Sequence, residues 1–128
     1  MSIFEKNQAL AQLFEQHKAR LCEEEGLTEE EIRSAIEAGT MVLLGNPNHK
    51  NVRPILVGQP ARVKVNANIG TSPFHCSVKG ELRKLKIALD AGADTVMDLS
   101  IAGDLDAIRM QMLEGCSAPL GTVPMYGV

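Results

Sequence analysis

A chain of 128 residues has the length of one domain, and 45% hydrophobic against 23% charged residues describes a globular, soluble one. A formal charge of −3, one Tyr, no Trp and three Phe exclude a basic nucleic-acid footprint and a set of base-stacking platforms. No apolar run approaches the ~18 residues needed to span a membrane, and the opening MSIFEKNQAL lacks the apolar core of a secretory leader, so a cytoplasmic location is expected.

Residues 3–25 carry Phe4, Leu10, Leu13, Phe14 and Leu21 at near-helical intervals and predict one helix, stopped at Gly26. His17 continues that stripe and is expected to pack rather than to bind a metal. Thr28 followed by Glu31 forms a capping box, in which hydroxyl and carboxylate each satisfy a free amide. A second helix is therefore expected over about 29–38, with Ile32, Ala35 and Ile36 inward. The short apolar runs Met41–Leu44 and Ile55–Val57 flank a turn-rich stretch and predict two short strands paired outside the main sheet. Residues 1–60 read as an N-terminal helical and extended segment, and 61–128 as a second region.

That second region alternates. Arg62–Val65 is strand-like. A helix is expected near 78–91, with Leu82, Leu85 and Leu89 on one face. Thr95–Leu99 is a second strand, Asp104 can cap a helix holding Leu105, Ile108, Met112 and Leu113, and Pro119–Val123 starts a third strand. The order β-α-β-α-β argues for a parallel sheet with right-handed crossovers. The third strand has no following helix to cover it, so either the chain is a piece of something larger or a partner completes the sheet.

Three polar-tipped segments punctuate this region: VKVNANIGTS, DTVMDLS and PLGTVPMYG. Within them Asn68, Met97 and Tyr126 fall 29 residues apart, twice over. That is the length of one strand–helix–strand unit, and equivalent residues of successive units emerge at one end of a parallel sheet, where ligands bind. Asn68 either hydrogen-bonds a polar ring substituent or caps its own loop. Met97 either packs or lines a ligand cavity with its thioether. Adjacent strand residues point to opposite faces, so Asp98 cannot share a pocket with Met97 and is expected to hold a neighbouring loop or strand. Tyr126 offers a ring face and a hydroxyl, as a ligand contact or as a surface residue.

Cys22, Cys76 and Cys116 are far apart, and no C-x-x-C occurs, so sequence-near cysteines build neither a zinc nor an iron–sulfur site. His17, His49 and His75 show no metal spacing. Three reduced thiols are expected, with Cys76 in a loop near the site end. Phosphate-binding glycine motifs are absent. A generic phosphosugar enzyme would need a base or Lys nucleophile at a strand tip, and the one strand-borne candidate, Lys64, sits before the tip.

VKVNANIGTS, AGADTVMDLS and GTVPMY, in this order and spacing over about 62–127, resemble the phosphomethylpyrimidine synthase family of thiamine biosynthesis. Residues 29–49 resemble the family's lead-in more loosely. The resemblance implies a (β/α)8 barrel behind an N-terminal segment, of which this chain supplies about three of eight strands. It implies radical S-adenosylmethionine chemistry: a [4Fe–4S] cluster cleaves S-adenosylmethionine to a 5′-deoxyadenosyl radical. That radical rearranges 5-aminoimidazole ribotide into the phosphorylated hydroxymethylpyrimidine. Family substrate contacts fall on Asn68, Met97 and Tyr126, and the full-length protein is expected to be a homodimer.

The family's cluster cysteines, metal-binding histidines and most phosphate contacts have no counterpart here, so the chain alone is expected to be inactive, with no catalytic or metal residue of its own. It would need the remaining barrel segment as partner. GV after Tyr126, SIAGD after the second strand and GNPNHKNVRPILVGQP in the lead-in depart from the thiamine enzymes. They leave 5-hydroxybenzimidazole synthase, which uses the same substrate in cobamide synthesis, as the alternative. A reading of another class is a non-catalytic module that completes a barrel partner.

Overall fold

A computed structural model describes residues 1–127 and divides the chain into two compact units. The first comprises Met1–Asn48 and Pro54–Val63, the second His49–Arg53 and Lys64–Val128.

In the first unit the helix expected over 3–25 is two helices, α1 (Ile3–Lys6) and α2 (Gln8–Glu25). The break is at Asn7. Its backbone is extended, and its side chain accepts a hydrogen bond from the Leu10 amide at 3.0 Å. Asn competes for local backbone donors in this way, so it starts α2 rather than continuing α1. Gly26 closes α2 in the left-handed conformation at φ 65°, which only Gly adopts at no steric cost.

Helix α3 (Glu29–Glu37) begins with the expected capping box: the Thr28 hydroxyl accepts from the Glu31 amide, and Glu31 accepts from the Thr28 amide at 2.8 Å. Phe14 and Leu21 of α2 close on Ile32, Ala35 and Ile36 of α3. Fully burying side chains of this size contributes roughly 1.5–3 kcal/mol each.

Strands β1 (Met41–Leu44) and β2 (Ile55–Gly58) pair antiparallel, Met41 opposite Gly58, in a sheet of their own. Met41 and Leu56 add to the same core. The Arg33 guanidinium of α3 lies 4.7 and 4.8 Å from the ring centroids of Phe4 and Phe14 and also pairs with Glu15 of α2. This one side chain ties α3 to α1 by a ring face and to α2 by ring face and charge together.

The second unit is a three-stranded parallel sheet, in the order β3 (Asn66–Ile69), β4 (Thr95–Asp98), β5 (Leu120–Thr122). Helix α4 (Val78–Asp90) connects β3 to β4, and α5 (Leu105–Gly115) connects β4 to β5. A 3-10 turn, Pro124–Gly127, follows β5. Asp104 caps α5 as expected, its carboxylate accepting from the Ala107 amide at 3.0 Å. Among the described residues these strands form no closed barrel.

The first strand is displaced from where the apolar run placed it. The ladder starts at Asn66, not at Arg62, and NANI is the strand itself rather than a strand end and loop. Val63 and Val65 are exposed. The carbonyl of Val65 accepts from the amides of Asp94 and Thr95, and its own amide donates to the Asp94 carboxylate. Asn is depleted in strands, yet Asn66 and Asn68 alternate with Ala67 and Ile69 at the two-residue strand period.

Register partners share a face. Ile69 and Val96 lie on the face covered by α4 and α5, where they pack with Leu85, Ile108 and Met112. Asn66, Asn68, Thr95, Met97 and Gly121 lie on the opposite face, and none of these five is buried.

His49 is buried in this unit. Its Nε2 lies 3.0 Å from the Leu113 carbonyl oxygen and 2.7 Å from that of Cys116. The Asn51 side chain donates to the Glu114 carbonyl. Residues 49–53 thus satisfy carbonyls at the end of α5 that have no partner within the helix, which is a structural task for His49.

Candidate functional site at the carboxyl ends of the parallel strands

Asn68 and Met97 are direct register partners on adjacent parallel strands, each the third residue of four. Met97 is in turn opposite Gly121 of β5. A Cβ placed on Gly121 would sit 2.7 Å from the Met97 sulfur, so the thioether lies across the space a side chain at 121 would fill. Asn68, Met97 and the bare backbone of Gly121 form one row across the open face.

Tyr126 is not in that row. From Met97 to Gly121 is 24 residues, and Tyr126 lies five further on, in the 3-10 turn beyond the carboxyl end of β5. Its amide donates to the Val123 carbonyl at 3.1 Å, and its side chain is 47% exposed. The count of 29 is therefore a ladder spacing for Asn68 and Met97. For Met97 and Tyr126 it is 24 residues of register plus five of turn.

The Asn68 side chain is held within the sheet. Asn66 Nδ2 donates to Asn68 Oδ1 at 2.8 Å, and the Thr95 hydroxyl donates to Asn66 Oδ1 at 2.8 Å. Asn68 Nδ2 has no acceptor among the described residues, and the residue is exposed. Asn68 does not cap its own loop.

Asp98 points to the other face, as strand alternation requires, and is fully buried. Its Oδ1 accepts from the Ser100 amide at 3.0 Å and from the Ser100 hydroxyl, and its Oδ2 accepts from Arg109 Nε at 3.3 Å. The Ser100 hydroxyl oxygen accepts from the Thr71 amide at 3.0 Å, and the Thr71 hydroxyl donates to the Ala102 carbonyl at 2.6 Å. This chain of bonds stitches the loop after β3 to the loop after β4. Gly70 permits the close approach, because a Cβ there would lie 2.6 and 2.7 Å from the backbone of Leu99 and Ser100. Asp98 is thus a positioning residue, which fixes the strand ends from behind.

A cleft of about 620 Å3 lies between the 70–77 loop and the start of α4, lined in part by His75, Cys76, Glu81 and Lys84. Glu81 is buried. One of its carboxylate oxygens pairs with the Lys84 ammonium, and the other has no hydrogen-bond partner among the described residues. Cys76 is exposed, with its Sγ 3.4 Å from the Ala102 carbonyl oxygen. No group of three or more His, Cys, Asp or Glu side chains that could hold a metal ion occurs among the described residues. No described helix is long and apolar enough to cross a membrane.

Sequence reading missed Asn66, Thr95 and Gly121. The signal for the first two was available: once NANI is read as a strand, Asn66 shares a face with Asn68. The role of Gly121 depends on register and has no local signature.

A parallel β-α-β-α-β sheet with polar groups gathered at its carboxyl ends is the arrangement of an α/β ligand-binding unit, and residues 5–128 match the model of the Radical SAM ThiC family. The chain belongs to that family. It is 47% identical over 106 residues to phosphomethylpyrimidine synthase of Thermococcus gammatolerans, 48% over 103 residues to that of Carboxydothermus hydrogenoformans and 48% over 109 residues to that of Thermus thermophilus. These alignments cover 80–84% of this chain but only 24–25% of each relative. The chain spans about a quarter of the length of the curated relatives it matches.

Proposed function

We propose that this chain is the amino-terminal portion of a radical S-adenosylmethionine lyase of thiamine biosynthesis, a phosphomethylpyrimidine synthase. It forms the first three strands of a (β/α)8 barrel and supplies part of the pocket for 5-aminoimidazole ribotide. Asn68 hydrogen-bonds the polar groups of the ligand, Met97 packs against its ring, and Tyr126 contacts it from beyond the third strand. The observation that carries the reading is the row of Asn68, Met97 and Gly121 on the open face, at the strand ends of a sheet whose other face is covered by helices.

The cluster and S-adenosylmethionine supply the radical in such an enzyme. The described residues offer no ligand set for a cluster, so no step is assigned to them beyond binding and orientation. The chain alone is inactive on this reading.

The test is titration of 5-aminoimidazole ribotide and S-adenosylmethionine against the intact enzyme and its Asn68→Ala variant, with cluster content matched. Asn68→Ala should weaken ribotide binding by roughly 5- to 150-fold, the range for leaving a buried partner unpaired, and hardly affect S-adenosylmethionine. Unchanged ribotide affinity would remove Asn68 from the site. Equal loss for both ligands would indicate a folding defect instead.

A further inference from the structure

We infer that Thr95 and Asn66 are positioning residues that present the Asn68 side chain as a hydrogen-bond donor, so that the ligand atom facing it carries a lone pair. This deepens the proposed function and rests on its placement of Asn68 at the ligand.

The three residues form one directed chain. Thr95 is the register partner of Asn66, and the two side chains meet at 2.8 Å, hydroxyl to amide oxygen. Asn66 and Asn68 are two apart on the same strand, hence on one face, and meet at 2.8 Å, amide nitrogen to amide oxygen. A primary amide has a donor end and an acceptor end. Asn66 occupies one lone pair of the Asn68 oxygen, whereas the Asn68 nitrogen has no partner among the described residues, so the nitrogen, with two protons, is the end most free for a ligand. Bonds in such a chain polarise one another in the same sense, which strengthens the outward donor.

The chain also costs the free protein little at binding. Asn68 is exposed, and an exposed amide with no partner samples several rotamers that a ligand would have to freeze. The two bonds fix the rotamer beforehand, and neither uses the ligand-facing nitrogen. A ring nitrogen with a lone pair, a carboxylate or a phosphate oxygen fits this presentation. An amine or ring N–H would have to share the oxygen that Asn66 already holds.

The experiment has two readouts. In the chain itself, heteronuclear NMR follows the Asn68 side-chain amide and its χ1 couplings. A single rotamer is expected in the wild type, and rotamer averaging in Thr95→Val and in Asn66→Ala. Both variants keep strand shape or sit on an exposed position, so backbone resonances should stay dispersed. In the intact enzyme, ribotide titration should show a loss of roughly 2- to 10-fold for each, about one net hydrogen bond. Asn68→Asp, which keeps the oxygen and loses the donor, should lose affinity at least as much as Asn68→Ala. Asn66→Ala combined with Asn68→Ala should be no worse than Asn68→Ala alone.

Asn68 averaged over rotamers in the wild type, or additive losses in the double variant, would overturn the inference. Retained affinity in Asn68→Asp would show that the chain runs the other way. An unaltered affinity in Asn68→Ala would instead sink the site reading, while the fixed or averaged Asn68 rotamer would still decide whether the chain of bonds holds that side chain.

Discussion

Asn68 of β3 and Met97 of β4 stand side by side as register partners in a parallel ladder, with the Met97 sulfur extended over Gly121 of β5. An amide, a thioether and a stretch of bare backbone thus follow one another across three strands. The row is polar at one end and soft and apolar at the other. The geometry also makes the position of Met97 depend on the absence of a side chain at 121.

Gly121→Ala should displace Met97. The new Cβ would fall 2.7 Å from the sulfur, which sits on a flexible side chain and can move. The expected cost in stability is about 1 kcal/mol, the low end for overpacking, with a clear shift of the Met97 methyl resonance. Met97→Ala in the same chain should recover most of that stability in urea denaturation. Equal loss with and without Met97 would mean that the two do not compete for space.

Asp98→Ala should be among the most damaging substitutions in the second unit. It removes a buried carboxylate that holds Ser100 and Arg109 and leaves the guanidinium without its partner. Breaking a buried pair from one side costs about 3–5 kcal/mol. Replacing Asp98 and Arg109 together by Asn and Met should cost less than Asp98→Ala, because no uncompensated charge remains. Chemical denaturation of the three chains orders them, and a mild Asp98→Ala would refute the role assigned to the network.

The start of α3 should loosen in acid. Hydrogen bonds from the Thr28 amide and hydroxyl hold the Glu31 carboxyl below its ordinary value of 4.5. The side chain of Arg33 and that of Lys18 do the same for Glu29. A carboxyl depressed by folding stabilises the fold above its unfolded pKa, and that contribution fades as pH falls through the lower, folded value. Glu31→Gln should therefore be less stable than the wild type near neutrality, and the two should converge in acid as pH falls through the depressed, folded value. Thr28→Ala should cost about 1 kcal/mol near pH 7. Stability curves from pH 7 to 3 test this, and a difference that widens in acid would contradict the capping assignment.

The three thiols should alkylate in a fixed order. Cys76 is exposed, Cys22 half-buried and Cys116 buried. Burial pushes the Cys116 thiol above its ordinary value, and its S–H donates to the Ala118 carbonyl at 3.2 Å. Thiolate is the reactive form, so Cys116 should react at least about tenfold more slowly than Cys76 and only through local opening. Mass spectrometry of iodoacetamide time courses at pH 8 reads the order directly. Fast labelling of Cys116 would mean that its side chain is not packed as described.

The sequence by itself determined the helices α3, α4 and α5, the strands β1, β2, β4 and β5, the parallel order of the second unit and the placement of Asn68 and Met97 toward one end of its sheet. These follow from periodicity, capping chemistry and one repeat interval, all of which are local or counted along the chain. Thr28 with Glu31 and Asp104 with Ala107 are legible for that reason: donor and acceptor are three residues apart.

The tertiary structure decided what counting could not. The polar NANI became the strand, ahead of the more apolar VKV, because pairing with β4 satisfies its backbone and Ile69 reaches the core whatever the propensity of Asn. Tyr126 fell out of the row because register, not chain length, sets which residues are neighbours, and the unit carrying α5 is five residues shorter from strand to strand. His49 acquired its carbonyl partners, and Asn66 and Thr95 their hold on Asn68, only when folding brought groups as much as 67 residues apart within hydrogen-bond distance.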